Sequence, residues 1–184
     1  MWLLGAIYFA LVCGIYIISF WLPSLIKQTG VSDPLKIGLL TAIPYIAAII
    51  AMIAVNASGD RIRERRWHTL LPAVAAGLGL VLTAFARTNA PLAMLGLTIA
   101  TAGASSAQAS FWCLPAAFLG GAAAAAGIAL INSLGNIAGF VSTFIVGWMT
   151  DLTHSSASAL YLFGAIVAIG GLFILAVPAR LVNK

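Results

Sequence analysis

Charged side chains are what this sequence has least of. Nine Lys and Arg and four Asp and Glu make up 7% of 184 residues, while 62% are hydrophobic. A soluble domain carries about 25% charge and about 45–50% apolar residues. An aqueous globular fold is therefore excluded, and an integral membrane protein or a piece of one is expected. A net charge of +5 on so few groups is not a nucleic-acid footprint, and no nucleic-acid partner is expected. Cysteine is also scarce. Cys13 and Cys113 both lie in apolar stretches and form no Cys-x-x-Cys pair, so reduced, structural thiols are expected. No run combines a basic leader, a short apolar core and a cleavage site, so the first apolar stretch is expected to remain as a span.

What is abundant is long apolar runs, at about 20 residues per bilayer crossing. Six can be drawn, at about 2–26, 35–57, 67–86, 91–114, 124–149 and 159–178. They are treated as one six-helix transmembrane unit covering 1–184. Trp21 and Pro23 are expected to mark the far end of the first, and Pro115 to kink or end the fourth. The connections are short: a polar loop from Lys27 to Lys36, a basic loop from Gly59 to Arg66, a turn at Arg87-Thr88-Asn89, an uncharged link from Phe118 to Gly121, and a polar turn from Asp151 to Ser158. The class is all-α, a polytopic membrane protein.

Six spans place both termini on one side. If that side is the cytoplasm, the inner segments hold Arg61, Arg63, Arg65, Arg66, Arg180 and Lys184, against Lys27, Lys36 and Arg87 outside. The excess of basic residues favours cytoplasmic termini in an inner membrane. His68 and His154 then fall at opposite faces, as do Asp60 and Asp151. No intramembrane protease constellation, metal cluster or nucleotide loop remains, so neither an enzyme nor a bound cofactor is expected.

Polar residues inside the spans become the candidates. The fifth run has no charge from Ala124 to Met149, yet holds Asn132 and Asn136 four apart on one helix face. By the rise of a helix, Asn136 lies roughly 18 Å into the membrane, near the midplane. The pair serves either a polar substrate or interhelical hydrogen bonding. Gly135 and Gly139, on a neighbouring face, form a small-xxx-small pattern suited to close helix contact. In the fourth run Thr101, Ser105, Gln108 and Trp112 share a face. Thr101 and Ser105 fit packing and bonds to their own backbone, whereas Gln108 and Trp112 are the better ligand candidates. Tyr16, in the first span, needs a partner for its hydroxyl, either another span or a substrate. Asn56 reads as a helix-end residue. In the basic loop, Asp60 is placed to accept from an arginine or a helix N-terminus.

Four stretches carry a resemblance: YIISFWLPSLIK (Tyr16–Lys27), GDRIRERRWHTLLP (Gly59–Pro72), FWCLPAAFLGGAAAAAGIALINSLGNIAGF (Phe111–Phe140) and GWMTDLT (Gly147–Thr153). In these the chain resembles the C-terminal half of a major facilitator superfamily transporter, in the anion:cation symporter family of organic-anion permeases for tartrate, phthalate, galactonate and similar acids. The resemblance implies the last six of twelve helices, with a substrate cavity between the two halves. It implies Tyr16, Gln108, Ser110, Trp112, Asn132 and Asn136 as substrate-binding positions. It also implies a cytoplasmic gating latch at Asp60, Arg61, Arg65 and Arg66. Two positions depart from the pattern: Asn56 and Arg63 stand where glycines are usual, and Arg63 is expected to loosen the turn.

No acidic or basic residue lies deep in any span, so a proton relay and a buried cation for an anion are expected elsewhere, in an N-terminal six-helix half. The function implied is secondary transport of a small organic anion with protons or another coupling cation, in contact with membrane lipid, as an incomplete or split half. The alternative is a non-transporting remnant, or an assembly or binding module.

Overall fold

The computed structural model describes residues 1–86, 89–117 and 119–182. The expected turn residues Arg87 and Thr88, the linking Phe118 and the terminal Lys184 lie outside them. The helices are α1 Trp2–Gln28, α2 Pro34–Ile62, α3 Arg66–Phe85, α4 Ala90–Phe111, α5 Cys113–Ala116, α6 Gly121–Thr153, α7 Ala157–Leu172 and α8 Ala179–Val182. A 3-10 turn, Phe173–Ala176, follows α7. Six of these stretches are long and apolar enough to cross a membrane. No strand occurs among the described residues. The chain is all-α, with six candidate spans.

The prolines and turn residues set most helix ends. Asp33 accepts a hydrogen bond from the backbone N–H of Leu35 at 3.0 Å, and Pro34 opens α2. Asn89 caps α4 in the same way, accepting from Leu92 at 3.2 Å. Pro115 has no N–H for the carbonyl of Phe111, and α4 breaks at Trp112 as expected. Pro178 follows the 3-10 turn that ends the last span.

Two expectations fail. Pro23 does not end the first helix; α1 runs through it to Gln28. Only the bond to the Ser19 carbonyl is lost, while Leu22, Leu25 and Ile26 keep the next turns buried. The loop expected from Gly59 is largely helical, because α2 continues to Ile62 after its apolar stretch ends. Hydrocarbon contact stops there, but backbone hydrogen bonding does not. Arg63 then turns the chain with φ 55 and ψ 34, and its N–H reaches the Gly59 carbonyl. The turn keeps its left-handed form with arginine in place.

Small residues bring the inner helices together. A Cβ at Gly79 of α3 would lie 2.5 Å from the backbone nitrogen of Ala100 on α4. One at Gly77 would lie 2.4 Å from the Gly164 carbonyl oxygen on α7. Backbones meet there, which is how helices associate where lipid is as apolar as leucine. α3 packs between α4 and α7; α1 packs on α6, α4 and α7; α2 packs on α4. α2 and α6 thus flank the bundle without a shared interface. Their buried residues are few. On α2 they are Pro44, Ala48 and Gly59. On α6 they form a stripe, Gly127, Ile131, Gly135, Ala138, Gly139, Ser142 and Val146, facing α1.

Two substitutions test this packing by thermal unfolding in detergent. Gly79→Val should destabilise by about 1–3 kcal/mol through overpacking, whereas Gly38→Ala, with nothing within 4 Å of the added Cβ, should not. Arg63→Gly should stabilise by about 1 kcal/mol by relieving the left-handed conformation.

Candidate functional site

α1, α4 and α6 converge on a cavity of about 280 Å³. Its walls include Tyr8, Tyr16, Ser19 and Phe20 from α1, Gln108 from α4 and Asn136 from α6. Tyr8 and Tyr16 are eight apart on α1 and share its inward stripe. Their rings rest on the α6 glycines. A Cβ at Gly135 would lie 2.3 Å from the Tyr8 ring, and one at Gly139 would lie 2.7 Å from the Tyr16 ring. The small-xxx-small pair therefore makes room for two phenol rings.

Tyr8 is the hub. Its ring stacks on Phe111 at 5.0 Å and meets Trp112 edge-on at 4.8 Å between centroids. Its hydroxyl accepts from the Gln108 amide at 3.4 Å, a long hydrogen bond. Further along α1, Tyr16 stacks on Phe20 at 5.9 Å. The polar groups that meet here are hydroxyls and amides, and no acidic or basic side chain lines the cavity among the described residues. Neutral donors and acceptors between aromatic walls can orient a small polar molecule. They cannot by themselves neutralise its charge.

The structure brings together Tyr16, Gln108 and Asn136, with Trp112 behind Tyr8. It does not bring in Ser110 or Asn132. Ser110 is buried, and its hydroxyl donates to the Asn56 side-chain amide oxygen Oδ1 at 2.8 Å. Asn56 in turn donates to the Met52 carbonyl at 2.8 Å. The two join α2 to α4, so Asn56 is a contact within α2, not a helix-end residue. Asn132 is exposed, one turn before Asn136 on the same α6 ridge, and is not a lining residue. Thr101 bonds back to the Leu97 carbonyl at 2.7 Å, the packing role its spacing allowed. The residue that sequence reasoning missed is Tyr8. Its signal was its place on the same stripe as Tyr16.

At the α2–α3 loop, Asp60 accepts from the Arg65 guanidinium in an ion pair. Glu64 accepts from the N–H of Trp67 at 2.7 Å, capping α3, and lies 3.6 Å from His68 Nδ1. Ser58 meets His68 Nε2 at 3.1 Å. Arg66 reaches away from this group, donating to the Leu175 carbonyl at 2.6 Å and tying α3 to the end of the last span. Arg61 is exposed and has no ion pair among the described residues.

Comparison with known proteins settles the family. The family model described as Major Facilitator Superfamily matches residues 1–143. The chain belongs to the major facilitator superfamily. It is 41% identical over its whole length to a protein of Pseudomonas putida provisionally named metabolite transport protein NicT, covering 42% of that protein. It is 38% identical, over 94% of its length and 38% of the relative, to an Agrobacterium vitis protein provisionally named a tartrate transporter. An Acinetobacter baumannii protein named quinolone resistance transporter is 36% identical over 97% of the chain and 41% of the relative. The chain thus spans about two fifths of the length of the relatives it matches. Superfamily members are transporters and not enzymes, in agreement with the absence of a catalytic constellation in the sequence.

Tyr8→Phe should leave the ring packing intact and cost less than about 1.5 kcal/mol in detergent unfolding. Gly135→Leu should cost more, because Tyr8 has to leave its seat. Asp60→Asn should cost at most about 1 kcal/mol, and less in high salt, as befits an exposed pair.

Proposed function

We propose that this six-helix unit forms one wall of a pathway for secondary active transport of a small organic anion across the cytoplasmic membrane. A second six-helix unit, corresponding to the N-terminal part of the relatives, would complete it. In superfamily transporters the two halves are related by an axis along the membrane normal and rock around a site between them. The observation that carries the reading is the position of Gln108 and Asn136. Both reach the one cavity that α1, α4 and α6 share.

Tyr8, Tyr16, Gln108, Trp112 and Asn136 would orient the substrate by hydrogen bonds and ring contacts. Ser110 and Asn132 are proposed only as supports, Ser110 by holding α2 on α4. Since the cavity is neutral, the carboxylate's counter-charge and the coupling proton or other cation belong to the second unit. The rings favour a planar aromatic carboxylate over a tartrate-like acid, because an aromatic wall gains more from a ring face than from hydroxyls. The basic loop would face the cytoplasm with both termini. There the Asp60–Arg65 pair would act as a latch, with Arg61 on the same loop and Arg66 holding α3 to the end of the last span.

The test is uptake of labelled tartrate and labelled benzoate into proteoliposomes holding this chain with a relative's N-terminal six-helix unit. Uptake should need both units. Gln108→Ala and Asn136→Ala should each lower it about tenfold, the weight of one hydrogen bond to a charged group. Absence of uptake of either acid with a correctly inserted pair would remove the transport reading and leave a non-transporting module.

A further inference from the structure

A second opening lies between α2 and α3, floored by α4. Gly103 of α4 sits so close to α3 that a Cβ there would be 2.5 Å from the Pro72 carbonyl oxygen. α2 packs on α4 and scarcely on α3. The result is a groove of about 370 Å³ walled by Ala51 and Val55 on one side and Leu71 and Ala75 on the other. A further 130 Å³ continues it past Val55 and Leu71 to Trp67 and His68. The lining is almost entirely hydrocarbon. From Trp67 to Ala75 the groove runs about 12 Å along the helix. One leaflet's hydrocarbon is about 15 Å deep, half of a core about 30 Å thick.

Chain connectivity fixes what stands at the mouth. The α2–α3 loop closes this end and carries Arg61, Arg63, Arg65 and Arg66 against Asp60 and Glu64. The acids are engaged: Asp60 with Arg65, and Glu64 with the Trp67 N–H and His68. Arg66 is held by the Leu175 carbonyl. Arg61 and Arg63 remain, both exposed and without an ion pair among the described residues. The Trp67 indole is half exposed beside them, as an interfacial anchor would be. Hydrocarbon below and unpaired positive charge above match one class of molecule. Basic pockets between helices at the membrane surface take anionic lipid headgroups.

We propose that the α2–α3 groove is a binding site for an anionic phospholipid, one acyl chain lying along Val55, Leu71 and Ala75 and the phosphate held by Arg61 and Arg63. The site is separate from the cavity of α1, α4 and α6 and does not depend on the chain's transporting anything.

The experiment is native mass spectrometry of the purified, delipidated full chain titrated with phosphatidylglycerol and phosphatidylcholine of identical acyl chains. Phosphatidylglycerol should bind more tightly. Arg61→Gln and Arg63→Gln should each weaken it about fivefold, the weight of one basic residue at an anionic surface, and leave phosphatidylcholine unchanged. Ala75→Leu, or Ala51→Leu on the opposite wall should the first not fold, should weaken both lipids by filling the groove. Millimolar inorganic phosphate should not displace the lipid. Equal binding of the two lipids would overturn the proposal. So would phosphatidylglycerol binding unmoved by the arginine or the groove-filling variants, or displacement by free phosphate.

Discussion

Backbone contact at glycine is the interaction on which the rest of this structure depends. In hydrocarbon no hydrophobic force drives helices together, so association rests on close packing and on interhelical hydrogen bonds. Gly77 and Gly79 of α3 supply that packing on two sides, against Gly164 of α7 and Ala100 of α4. With these inner helices locked, α2 and α6 are left at the flanks. The same device then serves a different end on α6. Gly135 and Gly139 give up side chains so that Tyr8 and Tyr16 can lie flat between α1 and α6. One small-residue pattern holds the scaffold, and another shapes the cavity.

Buried polar groups follow from the same constraint. Thr83, Thr98, Thr101 and Thr143 return their hydroxyls to carbonyls of the preceding turn, so each is satisfied within its own helix. The groups that instead reach across helices are few, and they are informative. Ser110 and Asn56 close the α2–α4 contact, and Ser156 reaches Gln28 where α7 begins. Gln108 and Tyr8 meet at the cavity. Their bond is long and stands at an open site. Charge is confined to the ends, where the Asp60–Arg65 pair and the Arg66–Leu175 contact tie the loop to two different parts of the bundle.

The family was legible only through the resemblance carried by stretches such as Phe111–Phe140 and Gly147–Thr153, whereas six spans and the all-α class were legible because long apolar runs and turn residues such as Asp33-Pro34 carry a direct physical meaning. Gly135 and Gly139 were legible for the same reason, since four-residue spacing of small side chains has few other uses in a membrane. The helix ends at Pro23 and Ile62 were not. A proline forfeits one hydrogen bond but does not decide whether the next turn is packed, and hydropathy reports contact with lipid, not helicity. At the cavity, periodicity put Gln108 and Asn136 on suitable faces of their own helices. It could not say which neighbour each face meets. Ser110 looked equivalent to Gln108 until the fold set Asn56 opposite it. Tyr8 was hidden among apolar residues near the start of α1, and its role depends on Gly135, 127 positions away in the chain.

The central claim is that α1, α4 and α6 share a water-accessible cavity while the outer faces of α3 and α4 meet lipid. Cysteine accessibility in membranes measures this most directly, with Cys13 and Cys113 first replaced. Single cysteines at Ser19 and Asn136 should react with a membrane-impermeant thiol reagent. Cysteines at Leu78 and Leu95, which are exposed on the outer faces at 60% and 51%, should not. Equal labelling of the four positions, or labelling of Leu78 and Leu95 alone, would contradict the account.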